Sequence, residues 1–406
     1  MRVTRTGGGW ALLACLTLTL ASCGGGSFRV VNTGGGYSFD KTGEKRTKEE
    51  SGAIATSIGT LEISHKFGEV RVFGSDGPPE FSWTLSCWGK TLDDAERFLE
   101  EITLERTETG SVHRYVLNLP EKPGSTLRGV ESLLTLHVPP TIEVRVKNSF
   151  GDAEVRNISG SVLGDCSHCS AELEDLGGKV DWRTSFDDLR ARRIAGGTLR
   201  NEHGELHVEE VAGDLTAETS FDEATIVEVA GRLEAKNQHG KLTVLRVRGP
   251  VQAETSFAGM TVERLAGDAV LRNSHGPIRA REIEGNLEVE TSFADLDLAT
   301  YSERIRASNS HGDVTLALLG DTLLEADVRT SFADLEVKVP MDLDPAVVID
   351  QKHGDVKSPI PHLTAGSPMG AVAGKGLIKL KVRHGDIELE ESAKVRRVPA
   401  ERPIGG

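Results

Sequence analysis

The 406 residues carry 47 Lys and Arg against 62 Asp and Glu, a formal charge of −15, with 45 Gly and only 5% aromatic side chains. Such a balance excludes nucleic-acid binding, which needs a basic surface to displace counterions; the 38% hydrophobic content excludes wholesale disorder. With so few large side chains, any core is thin and built from Val, Leu, Ile and Ala, and Gly without a three-residue period predicts many tight turns.

Residues 1–22 read as a signal peptide. Arg2 and Arg5 form a positive start, and Trp10–Leu20 is apolar but too short to span a bilayer. The stretch ends in Leu20-Ala21-Ser22-Cys23, which resembles the bacterial lipobox. The resemblance implies cleavage before Cys23 and a lipid on its sulfur, so the expected anchor is a membrane, reached through the N-terminal lipid. Leu12-Leu13-Ala14-Cys15 is a competing box that leaves almost no apolar stretch before it. Gly24 is not the Asp associated with inner-membrane retention, so the resemblance points to the outer membrane of a Gram-negative cell. Residues 23–54 are expected to be the lipidated Cys and a flexible tether.

From residue 55 the chain reads as all-β. Gly59-x-Leu61-x-Ile63-x-His65-x-Phe67-Gly68-x-Val70-x-Val72 alternates with period two. An excursion follows over 75–140 with one helix, for which Thr91 is the N-cap, Asp94 stands at N3, and Leu92, Ala95, Phe98, Leu99 and Ile102 share a face. Residues 55–141 are therefore expected to be a first coil and a strand-helix-strand cap over the open end of what comes next.

From 142 to 391 the sequence repeats. Phe150, His168, Phe186, His203, Phe221, His239, Phe257, His275, Phe293 and His311 follow one another at 17 or 18 residues, and Phe332, His353 and His384 extend the series. Two, four and six residues before Phe221 stand Thr219, Ala217 and Leu215; the same steps before His239 give Asn237, Ala235 and Leu233. Gly recurs ten residues after the landmarks, at 160, 178, 196, 213, 231, 249, 267 and 285, where φ > 0 or close packing excludes a Cβ. Short strands in 18-residue units do not suit α-solenoids, whose units are longer; a propeller with 36-residue blades of two hairpins is the runner-up, and the strict 18-residue equivalence favours coils. The expected fold is a parallel β-solenoid, one coil per repeat, about 4.8 Å per coil. Pro359–Lys375 reads as a loop, Leu377–Leu389 as a last coil around His384, and 392–406 as a disordered tail.

The lipobox, the Gly-x-Leu-x-Ile…Phe-Gly-x-Val-x-Val opening, the helix-bearing excursion and Val138-Pro139-Pro140 before the repeats together resemble the putative-adhesin β-strand repeat family, over about 55–390. Its members are bacterial cell-envelope proteins whose domain has no established function, and the resemblance carries over no catalytic residue.

Candidate chemistry lies in the landmark column. Because each landmark shares its parity with inward Leu and Ala, the rings are expected to face inward or line a corner. Successive His are two coils apart with a Phe between, too far to share a metal ion; the column is expected to be a structural ladder, with Asn two residues earlier satisfying turn backbone. Partly buried His that become charged below about pH 6.5 would strain such a stack. Cys166-Ser167-His168-Cys169 imitates a redox or zinc half-site, yet Cys166 occupies the Thr/Asn column and no second pair is near in sequence. Gly-Asp recurs at 151–152, 312–313, 354–355 and 385–386 without the nonapeptide calcium motif. Gly370–Lys375 imitates a phosphate loop but is one residue short.

No catalytic, metal or cofactor-binding residue is therefore expected, and no cofactor. The expected function is that of a non-enzymatic adhesin, binding or scaffold protein of the cell envelope, its body in the periplasm or on the cell surface. The partner is expected to be a glycan or another envelope protein, with no nucleic acid. Alternatives are a polysaccharide-acting β-helix enzyme, which needs paired carboxylates in a groove, and an envelope-stress sensor.

Overall fold

The computed structural model describes residues 41–120, 126–343, 345–359 and 376–392. The signal segment, the tether up to residue 40, Cys23, the loop from 360 and the tail from 393 lie outside them. Two long sheets of 17 and 16 strands run the length of a β-solenoid. Each coil gives one strand to each sheet. In the coil that starts at Leu215, for example, Leu215–Thr219 pairs in parallel with Leu233–Asn237 of the next coil, Leu215 opposite Leu233 and Thr219 opposite Asn237. Its second strand, Ala224–Val229, pairs with Leu242–Val247.

Period-two alternation explains the thin core: Leu233 and Ala235 from one sheet meet Leu242, Val244 and Val247 from the other, all buried. The second-sheet strands break the alternation once. Asp175, Arg193, Glu210, Glu228, Arg246, Arg264 and Glu282 have φ between 52° and 61°. The pairing register skips that residue, Glu174 facing Arg192 and Leu176 facing Ile194. This bulge lets residues three apart, such as Val208 and Val211, both point inward. The bulged residues pair across coils: Arg193 with Asp175 at 2.5 Å, Arg246 with Glu228 at 2.8 Å, Arg264 with Glu282 at 3.2 Å.

The Gly column forms the corner after these bulges. A Cβ at Gly249 would fall on the backbone of Gly231, one coil earlier. Close approach of coils, not a positive φ, is what requires Gly there. In the core, Gly164 leaves the space that the indole of Trp182 fills from the next coil, and Trp182 Nε1 donates to Thr184 Oγ1 at 3.1 Å.

At both ends the order in space departs from the order in sequence. The first elements are β1 (Glu44–Ala53), β2 (Thr60–His65), β3 (Glu69–Gly74), β4 (Glu80–Gly89), α1 (Leu92–Glu101), β5 (Thr103–Thr109), β6 (Val112–Asn118) and β7 (Leu127–Val138). Strand β6 lies parallel to β2 and β7 parallel to β3, so the excursion itself contains a coil, stacked outside the first one. Helix α1 begins as expected: Thr91 Oγ1 accepts from the Asp94 N–H and donates to its carboxylate, and Ala95, Phe98, Leu99 and Ile102 are buried, but Leu92, expected on the same face, sits in the first turn and is 39% exposed.

Part of the expected tether is a strand. β1 pairs antiparallel with all of β4, from Glu44 opposite Gly89 to Ala53 opposite Glu80. Its charged sequence reads as solvated chain, but charge is also how an edge strand is protected from unwanted pairing. Lys45 and Lys48 rest over the rings of Trp88 and Trp83.

At the other end the coil of His384 is not the last in space. Leu377–His384 lies between Glu325–Phe332 and Ala346–His353, so the coil of His353 is outermost.

Candidate functional site

The landmark rings form one continuous stack. From Phe67 through Phe150, His168 and onward to His311, Phe332, His384 and His353, neighbouring centroids lie 4.4–5.2 Å apart. Most planes are within 14° of parallel, as for His203 with Phe221 and Phe257 with His275. Phe and His alternate strictly from Phe150 to His384, and only His384 and His353 place two imidazoles side by side.

Of the two placements expected for these rings, the inward one is overturned and the corner one holds, between strands such as Leu215–Thr219 and Ala224–Val229. Phe186, Phe221, Phe257, Phe293 and Phe332 are 50–59% exposed, and His168, His239, His275, His311 and His384 are exposed as well. In the regular coils the strand ends at the buried Thr or Asn two residues earlier, as at Thr219, Asn237 and Thr255, and the chain then bends, so alternation no longer predicts direction; in the last three coils the strand runs on to Phe332, His353 and His384. Phe186 and His168 even take φ of 70° and 55°. The expected acid strain from partly buried landmark His loses its premise for the same reason.

The buried column beneath the ladder explains why Asn precedes His. Asn237 Nδ2 donates to Asp222 O at 2.8 Å and Lys241 O at 3.3 Å, and its Oδ1 accepts the Gly240 N–H at 3.0 Å. Asn201, Asn273 and Asn309 bridge the preceding Phe corner in the same way, to the carbonyls of Asp187, Ala258 and Ala294. Thr219, Thr255 and Thr330 occupy the alternate places, and their buried hydroxyls make no hydrogen bond. His239 and His275 have Nδ1 3.0 and 3.2 Å from the carbonyls of Ser220 and Ser256. A carbonyl only accepts, so Nδ1 carries the proton and Nε2 is the outer nitrogen.

Cys166 and Cys169 are joined in a disulfide, Cα atoms 5.6 Å apart. Both are buried at the corner of His168. Cys166 stands where other His corners have Asn, so a covalent bridge replaces the amide clamp. Buried sulfurs offer no access to an exchange partner. Cys87 is also buried, which pushes its thiol up to about 12.

Chemistry-bearing groups elsewhere are held in structural roles. In the inner column His65 is 1% exposed, and burial pushes its pKa down to about 4, the contact with Asn148 acting in the opposite sense. Its Nε2 lies 2.9 Å from Ser132 Oγ, which also accepts from Trp83 Nε1 at 2.8 Å. A shallow depression of about 490 Å³ on the 16-stranded sheet is bordered by Glu62, Asp165, Asp181, Arg114, Arg145 and Arg183. Glu62 is gripped by Arg114 at 2.6 Å and Arg145 at 3.0 Å, and the Arg114 hydrogen bond leads in holding its carboxyl below the usual range. A glycosidic general acid needs the opposite shift. Asp187 is raised, first by burial and then by Asp188 and Asp152. Among the described residues no cluster of His, Cys, Asp and Glu is arranged to hold a metal ion. The phosphate-loop imitation at 370–375 and the lipidation candidate Cys23 lie outside the described residues.

The alignment that locates the ladder also places an acidic line that sequence reasoning reached only as Gly-Asp pairs. Asp295, Asp313, Asp334, Asp386 and Asp355 stand two residues past successive landmarks. Each of the first four accepts the backbone N–H of the next in space through Oδ1: that of Asp313 onto Asp295 at 3.0 Å, Asp334 onto Asp313 at 3.2 Å, Asp386 onto Asp334 and Asp355 onto Asp386 at 2.8 Å.

No family model matches the sequence, so the adhesin-repeat likeness stays a resemblance, and no curated protein matches it. Among solved structures the chain is similar to a putative cell adhesion protein from Clostridium sporogenes ATCC 15579, at 10% identity and a TM-score of 0.22, over 86% of this chain and 100% of that one. It is also similar to a putative adhesin from Parabacteroides distasonis ATCC 8503, at 9% identity and a TM-score of 0.25, over 87% and 98%. A putative lipid binding protein from the same strain gives 13% identity and a TM-score of 0.20, over 86% and 97%. At such scores these likenesses carry no weight for function.

Proposed function

We propose that this chain is a non-enzymatic binding or scaffold protein of the cell envelope, anchored by a lipid on Cys23, whose working surface is the exposed ring edge. One observation supports this above the rest: an acidic solenoid leaves Phe186, Phe221, Phe257, Phe293 and Phe332 of its longest regular column 50–59% exposed. Exposed apolar surface of this extent marks interaction sites on soluble proteins. The inner column already ties the corners together, so support of the fold does not by itself require Phe outside. Among the described residues no helix is long and apolar enough to cross a membrane, and in this reading the N-terminal lipid supplies the attachment.

The test is retention of envelope material on immobilised full-length chain, run beside a glycan array, for the wild type and for Phe221→Ser/Phe257→Ser/Phe293→Ser. Retention or glycan binding that disappears in the triple variant supports the reading. Equal behaviour of the two proteins removes the ring edge as the working surface, and labelling with palmitate that survives Cys23→Ala removes the anchor.

A further inference from the structure

The ring edge is one of three parallel lines. On one side, the position before the landmark is mostly Ser, as at 185, 220, 256, 292 and 310. On the other runs the acidic line, densest from Asp295 to Asp355. Among the described residues none of Asp295, Asp313, Asp334, Asp386 and Asp355 is in an ion pair, and each has a second carboxyl oxygen that accepts no hydrogen bond from its neighbour in the line.

The stack fixes what can dock on it. Every inner ring has both faces covered by its neighbours at about 5 Å, so no face remains for a sugar ring or a planar base. Only edges are offered. Five Phe at 50–59% exposure leave on the order of 500 Å² of apolar surface, at the upper end for a soluble monomer. An edge ribbon of this kind is covered by aliphatic or aromatic side chains laid along it. The unpaired carboxylates, one coil or about 4.8 Å apart, repel one another until cations stand beside them. A second copy of this chain brings the same net charge of −15 to the contact, so the two copies repel overall.

We infer that the ribbon and the acidic line together dock a cationic amphipathic polypeptide segment, its apolar side chains on the ring edges and its Lys or Arg along Asp295–Asp355. This rests on the reading of the ring edge as the working surface and gives that surface a partner chemistry. Attraction along the line steers the segment and weakens with salt, while the ribbon supplies the apolar contact.

The experiment is fluorescence anisotropy of a labelled Lys/Leu amphipathic peptide titrated with the full-length chain. Polylysine of equal charge and a Gln/Leu peptide of equal apolarity serve as controls. The expected result is binding of the Lys/Leu peptide at least about tenfold tighter than either control. Phe221→Ser/Phe257→Ser/Phe293→Ser and, separately, Asp313→Asn/Asp334→Asn/Asp386→Asn each weaken it by about tenfold or more. The Asn changes keep the oxygen that accepts the next N–H, so they remove charge alone. Should the Ser variant fail to fold by circular dichroism, Phe→His at the same three places keeps a ring in every coil and is expected to lose the same affinity. Absence of binding, or binding of polylysine that ignores the Phe changes, overturns the inference. So does concentration-dependent self-association that the Phe changes abolish, which makes a second copy the occupant. Phe-dependent glycan binding without peptide binding overturns the partner chemistry and leaves the working-surface reading standing.

Discussion

Two columns two residues apart on one corner behave as opposites. The inner one, with His65, Asn148, Cys166, Thr184 and Asn201, is buried and ties coil to coil. The outer one, the Phe and His ladder, is exposed from His168 onward apart from the half-buried His203. The difference shows that a corner can separate support from display within three residues. Histidine makes the contrast sharpest, since His65 inside is held neutral by burial while the ladder His other than the half-buried His203 are exposed.

The largest expected effect belongs to that inner His. Unfolded, His65 takes a proton near its ordinary 6.5; folded, only near 4. Acidification from 6.5 to 4 therefore favours the unfolded chain, and stability is lost as pH falls through that window, by up to about 3 kcal/mol. His65→Asn, which installs the residue found elsewhere in this column, is expected to remove that part of the pH dependence in urea titrations at pH 7 and pH 4.5. An unchanged slope would place His65 in water.

Next comes Asn237→Ala. It strands the carbonyls of Asp222 and Lys241 and the Gly240 N–H, for an expected loss of about 2 kcal/mol. Thr219→Val is the internal control. The Thr219 hydroxyl is buried without a partner, so its replacement by a methyl is expected to be neutral or slightly stabilising. A single outer change, Phe257→Ser, is expected to cost about 1 kcal/mol, since a ring more than half exposed has little burial to lose. Smallest is Cys166→Asn/Cys169→Gly, which rebuilds the disulfide corner in the pattern of His203. The melting temperature is expected to stay within about 4 °C of the oxidised wild type and to stop responding to reductant.

The repeat was legible because solenoid coils keep their length. Leu233, Ala235, Leu242 and Val244 declare the core by alternation alone. The sense of the ladder was not legible, because alternation was carried from Thr219 to Phe221 across a bend that ends the strand. A second signal in the sequence marks that bend: the Gly-Asp, Gly-Glu and Asp-Asp steps after the landmarks lie where two strands would otherwise join. Strand β1 was hidden by its charge, which looks the same on an edge strand as on a tether. The exchanged places of the His353 and His384 coils were also hidden, since spacings of 21 residues to His353 and 31 more to His384 do not reveal which of the two stacks first on Phe332. The disulfide was legible as a pair of thiols but not as a bond, because CxxC spacing also serves metals and redox exchange.

The most direct test of the separation is the difference in unfolding free energy, by urea denaturation at pH 7, between two triple variants. Phe221→Ser/Phe257→Ser/Phe293→Ser strips the display column, and Asn201→Ala/Asn237→Ala/Asn273→Ala strips the supporting one. The account predicts one cooperative transition for the outer variant, its denaturant slope unchanged and its loss near 3 kcal/mol, against about twice that for the inner variant. An outer variant that loses as much as the inner one, or unfolds without cooperativity, would contradict it and return the ladder to the core.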